Sequence, residues 1–290
     1  MTITDSKRGL QLGSKFRYLE SGIRDFDVDI VLGMLRDGHY DGSVAYVIRN
    51  AIPAHTCQAV YSNFKSIIAE KGTQREHGDG VNANQVGSTQ FLKSGQEYAE
   101  STARAQPLTL SLFDNLSADQ ASQFMLDNHL LAGFLKHGLH FGPARFKSTY
   151  ANHCTIRAWL DNGEMSLHPH EDISQVETAR ADGFEIHTVE YNTMSFNVCV
   201  AHSGPGGETK VWDLRPSPDV RSSLGLYETG YPYPLEFVED LPSLTLVLNP
   251  GDCYFLSSSF LHGVQPTAGE RVTAGRFMGL SNDNRVMFWT

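Results

Sequence analysis

A chain of 290 residues that is 40% hydrophobic can bury one large core. Its 33 acids against 23 bases leave a formal charge of −10, which argues against nucleic acid or an anionic membrane as partner and for a small-molecule substrate. The N-terminal stretch has no apolar signal-type region, no run is long enough to span a bilayer, and Cys57, Cys154, Cys199 and Cys253 form no CxxC pair, so a cytoplasmic protein with reduced thiols is expected.

The first 25 residues read as a loosely attached arm. A strand is expected over Ser43 to Ile48, followed by a helix from about Pro53 with Val60, Phe64, Ile67 and Ile68 on one face. Residues 72 to 106 are polar and glycine-bearing and read as loops over a site. Ser117 to Gln120 form a capping box that opens one long helix carrying Phe124, Met125, Leu131, Phe134 and Leu135.

From about Thr149 the pattern changes to short apolar runs broken by turns. STYANHCTIRAWL, MSLHPH, EIHTVEY, TMSFNVCVAH, ETKVWDL, LTLVLN, CYFLSSSFLHGV, RVTAGRFMGLS and RVMFWT read as strands, with turns at DNGE, SGPGG and PGD. Strands in this number, preceded by helices, predict a mainly β, α+β fold, a sandwich or barrel covered by N-terminal helices. The whole chain, 1–290, reads as one domain, with strand and helical support over 26–148 and the β core over 149–290.

The stretch SLHPHEDISQ holds His168, His170, Glu171 and Asp172 within five positions. The pair His170 and Asp172 forms an HxD step, half of a 2-His-1-carboxylate iron site. Alone it is weak, because twelve histidines in an acidic chain produce about one such pairing by chance. Downstream, an apolar strand ends at His262 and Arg271 follows nine residues later. On a hairpin, both would point into one barrel mouth. A buried arginine needs an acidic partner, and the nearby Glu270 points the other way on an extended strand. A dicarboxylate such as 2-oxoglutarate fits, one carboxylate forked on the guanidinium and the keto acid on a metal.

In this order, HxD, GGET (Gly206 to Thr209), PGD (Pro250 to Asp252) and HxVxP with a following arginine (His262, Val264, Pro266, Arg271) resemble the iron(II)/2-oxoglutarate oxygenases over roughly residues 155 to 280. The resemblance implies a double-stranded β-helix, a cupin-like jelly roll, with iron(II), 2-oxoglutarate as co-substrate and O2. A closer resemblance covers most of the chain. YDGSVAYVIRNAIP, RAWLDNGEMSLHPHED, GGETKVWDL and RVTAGRFMGLSNDNRVMFWT look like the freestanding cyanobacterial halogenases of the hapalindole and welwitindolinone pathways. Those enzymes carry His-x-Gly, where glycine vacates the carboxylate position for chloride.

Two registers compete here. In one, His170, Asp172 and His262 bind metal. In the other, His168 takes the metal position and His170 stands where the family has glycine. The first is favoured because a hard carboxylate suits iron(II), and it leaves no vacancy for halide. The implied activity is a dioxygenase that hydroxylates an unactivated C–H of a small natural-product or amino-acid-derived molecule and releases succinate and CO2. A halogenase-like or three-histidine oxygenase using His168, or a non-catalytic jelly-roll binding protein, are the alternatives.

Asn197 and Thr209, flanking the GPGG turn, are further candidates for contact with 2-oxoglutarate or the ligands. Arg276 is the alternative anchor, although strand alternation sends it to the face opposite Arg271. Arg157 is a candidate for an acidic substrate or a surface ion pair. The tyrosines of LYETGYPYPLEF (226–237) are candidates for a lid, and Trp159, Trp212 and Trp289 read as core aromatics.

Overall fold

The computed structural model describes residues 8–75, 81–160, 163–177, 182–190 and 192–290. In chain order its principal elements are β1 (Arg17–Gly22), α1 (Val28–Asp37), β2 (Ser43–Arg49), α2 (Ala54–Lys71), β3 (Ala83–Val86), α3 (Gly95–Ser111), α4 (Ala118–Phe124), α5 (Asp127–Lys136) and β4 (His140–Pro143). There follow β5 (Thr155–Trp159), β6 (Leu167–His170), β7 (Met194–His202), β8 (Thr209–Trp212), β9 (Ser243–Leu246), β10 (Cys253–Ser257), β11 (His262–Val264), β12 (Arg271–Ser281) and β13 (Arg285–Trp289).

Two sheets face each other in a jelly roll. The major sheet runs β1-β2-β10-β7-β12-β13-β4, with β5 joining β12 and β3 joining β5. The minor sheet runs β9-β8-β11-β6. One face of the major sheet, with Tyr46, Ile48, Phe196, Val198, Phe255, Val272 and Ala274, packs against Val31 and Leu35 of α1 and Val60 and Phe64 of α2. The other face sends Ala45, Val47, Cys199, Tyr254 and Leu256 toward Val211 and Leu246 of the minor sheet. β2 is buried along nearly its whole length because helices cover one face and the minor sheet the other, so it reads as a continuous apolar run. Each fully buried Val, Leu or Phe contributes about 1.5–3 kcal/mol.

Several expectations change. The described part of the arm is not loose: β1 pairs in parallel with β2, and the Leu12 and Gly13 amides donate to Asp213 at 2.7 and 2.8 Å. Residues 72 to 106 contain β3 and most of α3. That helix is opened by a Ser94–Glu97 capping box, and its buried positions are mostly small (Gly95, Ala99, Ser101, Thr102, Ala105), so it lacks an apolar stripe.

The long helix predicted from Ser117 is two helices, α4 and α5. Leu126 adopts a left-handed φ of 54° between them, and the Met125 carbonyl accepts from Arg276 Nη2 at 3.0 Å instead of continuing the helical ladder. EIHTVEY is a 3₁₀ turn over Glu185–Thr188 with a single bridge, Val189 to Ser281. Its Tyr191, with Asp161 and Asn162 of the DNGE turn, lies outside the described residues.

CYFLSSSFLHGV is two strands in different sheets. The chain crosses from the major to the minor sheet between Ser257 and His262, and the buried Ser257, Ser258 and Ser259 make the corner. The hairpin expected to join His262 to Arg271 is therefore absent, and the two residues sit on facing sheets.

Candidate active site

β11 is flanked by β8 and β6, with His262 opposite both Val211 and His170. Cross-strand partners share a face, so both imidazoles point between the sheets. Their ring centroids are 4.0 Å apart. Asp172 follows two residues after His170, its amide held by the Ser258 carbonyl at 2.8 Å. Among the described residues, His170, Asp172 and His262 are the group of three whose ligand atoms lie within 4.8 Å of one another, and all three are buried.

The same contact orients both histidines. Nδ1 of His170 donates to the His168 carbonyl and Nδ1 of His262 to the Phe260 carbonyl, each at 2.9 Å. A carbonyl can only accept, so each ring is protonated on Nδ1 and presents Nε2 to the site. Burial and the neighbouring His262 ring push His170 down to about 4, which keeps it neutral with a lone pair to offer. Burial alone would raise the Asp172 carboxyl, but His262, His170 and Ser258 hold it below its ordinary value. Gln175 Nε2 donates to its other oxygen at 2.9 Å. His262 Nε2 lies 3.3 Å from Asp172 Oδ2. Two imidazoles that present Nε2 and a carboxylate converging in this way suit iron(II).

His168 is outside that group; its carbonyl supports His170, while its side chain is half-buried on β6. Its place in the strand is irregular, because pairing with β11 shifts register between His262 and Val264.

Arg271 enters from the facing sheet. It is 4% exposed, its Nη2 donates to Thr209 Oγ1 at 3.0 Å, and Nη1 is buried without a hydrogen-bond partner among the described residues. Thr209 Oγ1 is also 3.2 Å from the Tyr254 hydroxyl. The guanidinium lies over the Trp159 indole, 5.6 Å from its centroid. Gly207 makes room for the arginine: its φ is +77°, and a Cβ there would stand 2.9 Å from Arg271 Cδ. A buried cation with an unmet donor beside two hydroxyls has the chemistry to receive a carboxylate.

Arg276, the other candidate anchor, is placed away from the cleft. It lies on the helix-facing side of β12, where Nη2 pairs with Asp127 at 2.6 Å and the guanidinium stacks 4.2 Å from the Phe288 centroid. Asn197 is on the inner face opposite Tyr254 and Gly275, but its amide donates to Ser195 at 3.2 Å and it is not among the cleft-lining residues. Glu270 turns away as expected and meets Lys65 on α2 at 2.9 Å. The PGD turn is structural: Asp252 accepts from Arg49, Asn50 and Asn249.

A cleft partly open to solvent lies beside His170 and Asp172. His170, Glu171, Asp172 and Gln175 line it with Arg75, Val81, Thr89, Phe91, Arg157, Trp159, Leu167, Thr229, Tyr231 and Phe277. Trp212 and Trp289 are core residues, whereas Trp159 is both buried and part of the cleft wall. Arg75, Thr89 and Phe91 carried no sequence signal, because they come from the polar segment before α3. Tyr254 carried none because it sits in an apolar run.

The family described as carrier-protein-independent halogenase WelO5 matches residues 47–290. L-isoleucine 3(1)-dioxygenase of Pantoea ananatis (strain AJ13355) is 41% identical over 289 residues, 99% of this chain and 96% of that protein. Among solved structures, an N-substituted L-amino acid dioxygenase from Burkholderia ambifaria AMMD superposes with a TM-score of 0.52 at 14% identity, over 86% of this chain and 87% of the other, which shows a shared fold. A prolyl-4-hydroxylase from Pseudomonas putida gives 0.44 at 13% identity, over 86% and 95%.

Proposed function

The chain belongs to the family of the carrier-protein-independent halogenase WelO5, within the iron(II)/2-oxoglutarate oxygenases, and we propose that it hydroxylates an unactivated C–H of a free aliphatic amino acid. The observation that carries this reading is Asp172, whose carboxylate converges with His170 and His262. A carboxylate at that place leaves no position for a halide, so oxygenation is favoured over halogenation despite the family's name. The Pantoea ananatis relative, named for L-isoleucine, supports the substrate class.

Iron(II) held by His170, Asp172 and His262 would supply, with 2-oxoglutarate and O2, the oxidising power and release succinate and CO2. The protein's own contribution is placement. The carbonyls of His168 and Phe260 lock the two imidazoles, and Gln175 steadies the carboxylate. Arg271, Thr209 and Tyr254 would hold the distal carboxylate of 2-oxoglutarate. Val81, Phe91, Leu167 and Phe277 offer an aliphatic side chain an apolar wall, and the way these residues position the substrate would decide which C–H reacts.

The test is 2-oxoglutarate-dependent succinate release by the iron(II) protein with L-isoleucine and a panel of free amino acids, with product mass read in parallel. Stimulated release with a product heavier by one oxygen is expected. Iron-loaded protein that no amino acid stimulates overturns the reading, and so does a chlorinated product in chloride buffer.

A further inference from the structure

Two cationic side chains on the cleft wall are unused by the metal or by the 2-oxoglutarate receptor. Arg157 lies on β5 opposite Thr273, two residues from Trp159, and so on the inner face of the major sheet. Its Nε donates to Gln85 Oε1 at 2.8 Å. Arg75, which precedes β3, donates from Nη1 to the same oxygen at 3.2 Å and from Nε to the Val81 carbonyl at 3.2 Å. Gln85 is buried, lies opposite Arg157 in the β3–β5 pairing, and is itself held by its amide donating to the Gly87 carbonyl at 2.8 Å. One fixed neutral oxygen thus gathers two guanidiniums at one wall.

Both arginines line the same cleft as His170 and Asp172, whereas Arg271 does not. The site therefore separates two cationic poles. Arg271 is sealed between the sheets, and the Arg157–Gln85–Arg75 group borders the space that remains for substrate. Two guanidiniums fixed on one amide are a fork for a single carboxylate, and Val81, Phe91, Trp159, Leu167 and Phe277 supply the apolar part of the same lining.

We propose that Arg157 and Arg75, aligned by Gln85, bind the α-carboxylate of the amino-acid substrate and so determine which carbon lies over the metal. This rests on the reading that the substrate is a free amino acid. It selects acids over the corresponding amides and amines, and it turns the side chain toward Leu167 and the triad.

Calorimetric titration of the anaerobic iron(II)·2-oxoglutarate protein with L-isoleucine and with L-isoleucinamide tests it without turnover. The wild type is expected to prefer the acid on the order of 10- to 100-fold, as the loss of charge-assisted bonds to a carboxylate implies. In Arg157→Met the preference should fall below about 3-fold while affinity for 2-oxoglutarate is unchanged. Arg75→Met is a second variant in case the first fails to fold, and should act in the same direction. Equal binding of acid and amide by the wild type, or full preference retained in a folded variant, overturns the proposal. Oxidation of L-isoleucine without acid preference sinks the subsite and leaves the function standing. Arg157-dependent acid preference without oxidation of any amino acid does the reverse.

Discussion

His262 Nε2 lies 3.3 Å from Asp172 Oδ2, while its Nδ1 donates to the Phe260 carbonyl. With Nδ1 protonated, the neutral ring turns an acceptor toward an acceptor, a contact that requires a cation between them or a proton on Nε2. A divalent metal satisfies both atoms and the equally oriented His170. Binding to the folded state alone then adds stability: at a hundredfold excess over Kd the gain is about 2.7 kcal/mol. For a chain of this size that is a rise in Tm of about 4 °C on adding anaerobic iron(II) or manganese(II). Asp172→Ala should abolish the rise and His168→Ala should keep it. The opposite pattern would move the metal to His168.

Arg271 and Thr209 meet across the two sheets, and the arginine has a donor unmet in the buried space beside Trp159. Arg271→Met is expected to raise KM for 2-oxoglutarate about 10- to 100-fold, since a hydrogen bond to a charged group contributes about 1.5–3 kcal/mol. Arg271→Lys should recover only part, having a point charge in place of a planar fork. Thr209→Val should cost less, within about tenfold. A KM unchanged in Arg271→Met, measured by succinate release, would place the co-substrate elsewhere.

Much of the site was legible because its elements are local in sequence. The HxD step, His262 and Arg271 stand next to turns that composition marks, and period-two alternation correctly sent Arg276 to the opposite face. What could not be read is how the runs divide between sheets. CYFLSSSFLHGV is buried in both sheets, with apolar residues on either side of its serines, and the serine run Ser257–Ser259 carries no Gly or Pro to report the crossing there. α3 was hidden for a different reason: its interface is built from Gly95, Ala99 and Ala105, and Gly95 packs so tightly that a Cβ would stand 2.5 Å from the Phe146 ring. Gln85 meets Arg157 only through the β3–β5 pairing and draws Arg75 to the same place, long-range contacts that no window of sequence contains.

Asp127 at the start of α5 ties the helical layer to the major sheet through Arg276 at 2.6 Å and His153 at 2.6 Å. Burial would raise this carboxyl, but the Arg276 and His153 charges bring it down to about 2. A carboxyl whose folded value lies below its unfolded one stabilises the fold above about pH 4 and loses that contribution as pH falls through 2. The shift corresponds to about 2 kcal/mol. Asp127→Ala at pH 7 is expected to cost about 3–5 kcal/mol, since it leaves the Arg276 guanidinium buried without its acid. In urea unfolding, the gap between wild type and variant should narrow between pH 4 and 2. A gap independent of pH would mean that packing, and not the ion pair, carries the contact.

Arg221, 1% exposed, fastens the segment over the cleft to the ligand-bearing strand. It belongs to the short helix Pro218–Ser223, donates from Nη2 to Glu177, and holds Nη1 3.5 Å from Glu171, the residue between His170 and Asp172. Its guanidinium lies 5.0 Å from the Tyr227 centroid. Backbone bonds complete the attachment: the Glu171 amide donates to Gly230 at 3.0 Å and the Tyr233 amide to Pro169 at 2.8 Å, which sets Thr229 and Tyr231 into the cleft wall. Gly230 permits this approach, since a Cβ there would stand 2.4 Å from the Glu171 carbonyl oxygen. Arg221→Met strips two glutamates of their cation and is expected to destabilise the protein by about 3–5 kcal/mol. Burial pushes the Glu171 carboxyl up to about 7 even beside Arg221, so adding Glu171→Gln to that variant should recover on the order of 1 kcal/mol relative to additivity when unfolding is measured at about pH 9, where a stranded carboxylate costs most. Limited proteolysis should cut Arg221→Met between residues 224 and 233 before the wild type is cut there, and 2-oxoglutarate turnover should become less dependent on substrate as the wall loosens. Strict additivity in the double-mutant cycle would show that Arg221 acts on Glu177 alone, leaving the backbone bonds at Gly230 and Tyr233 to hold the segment closed.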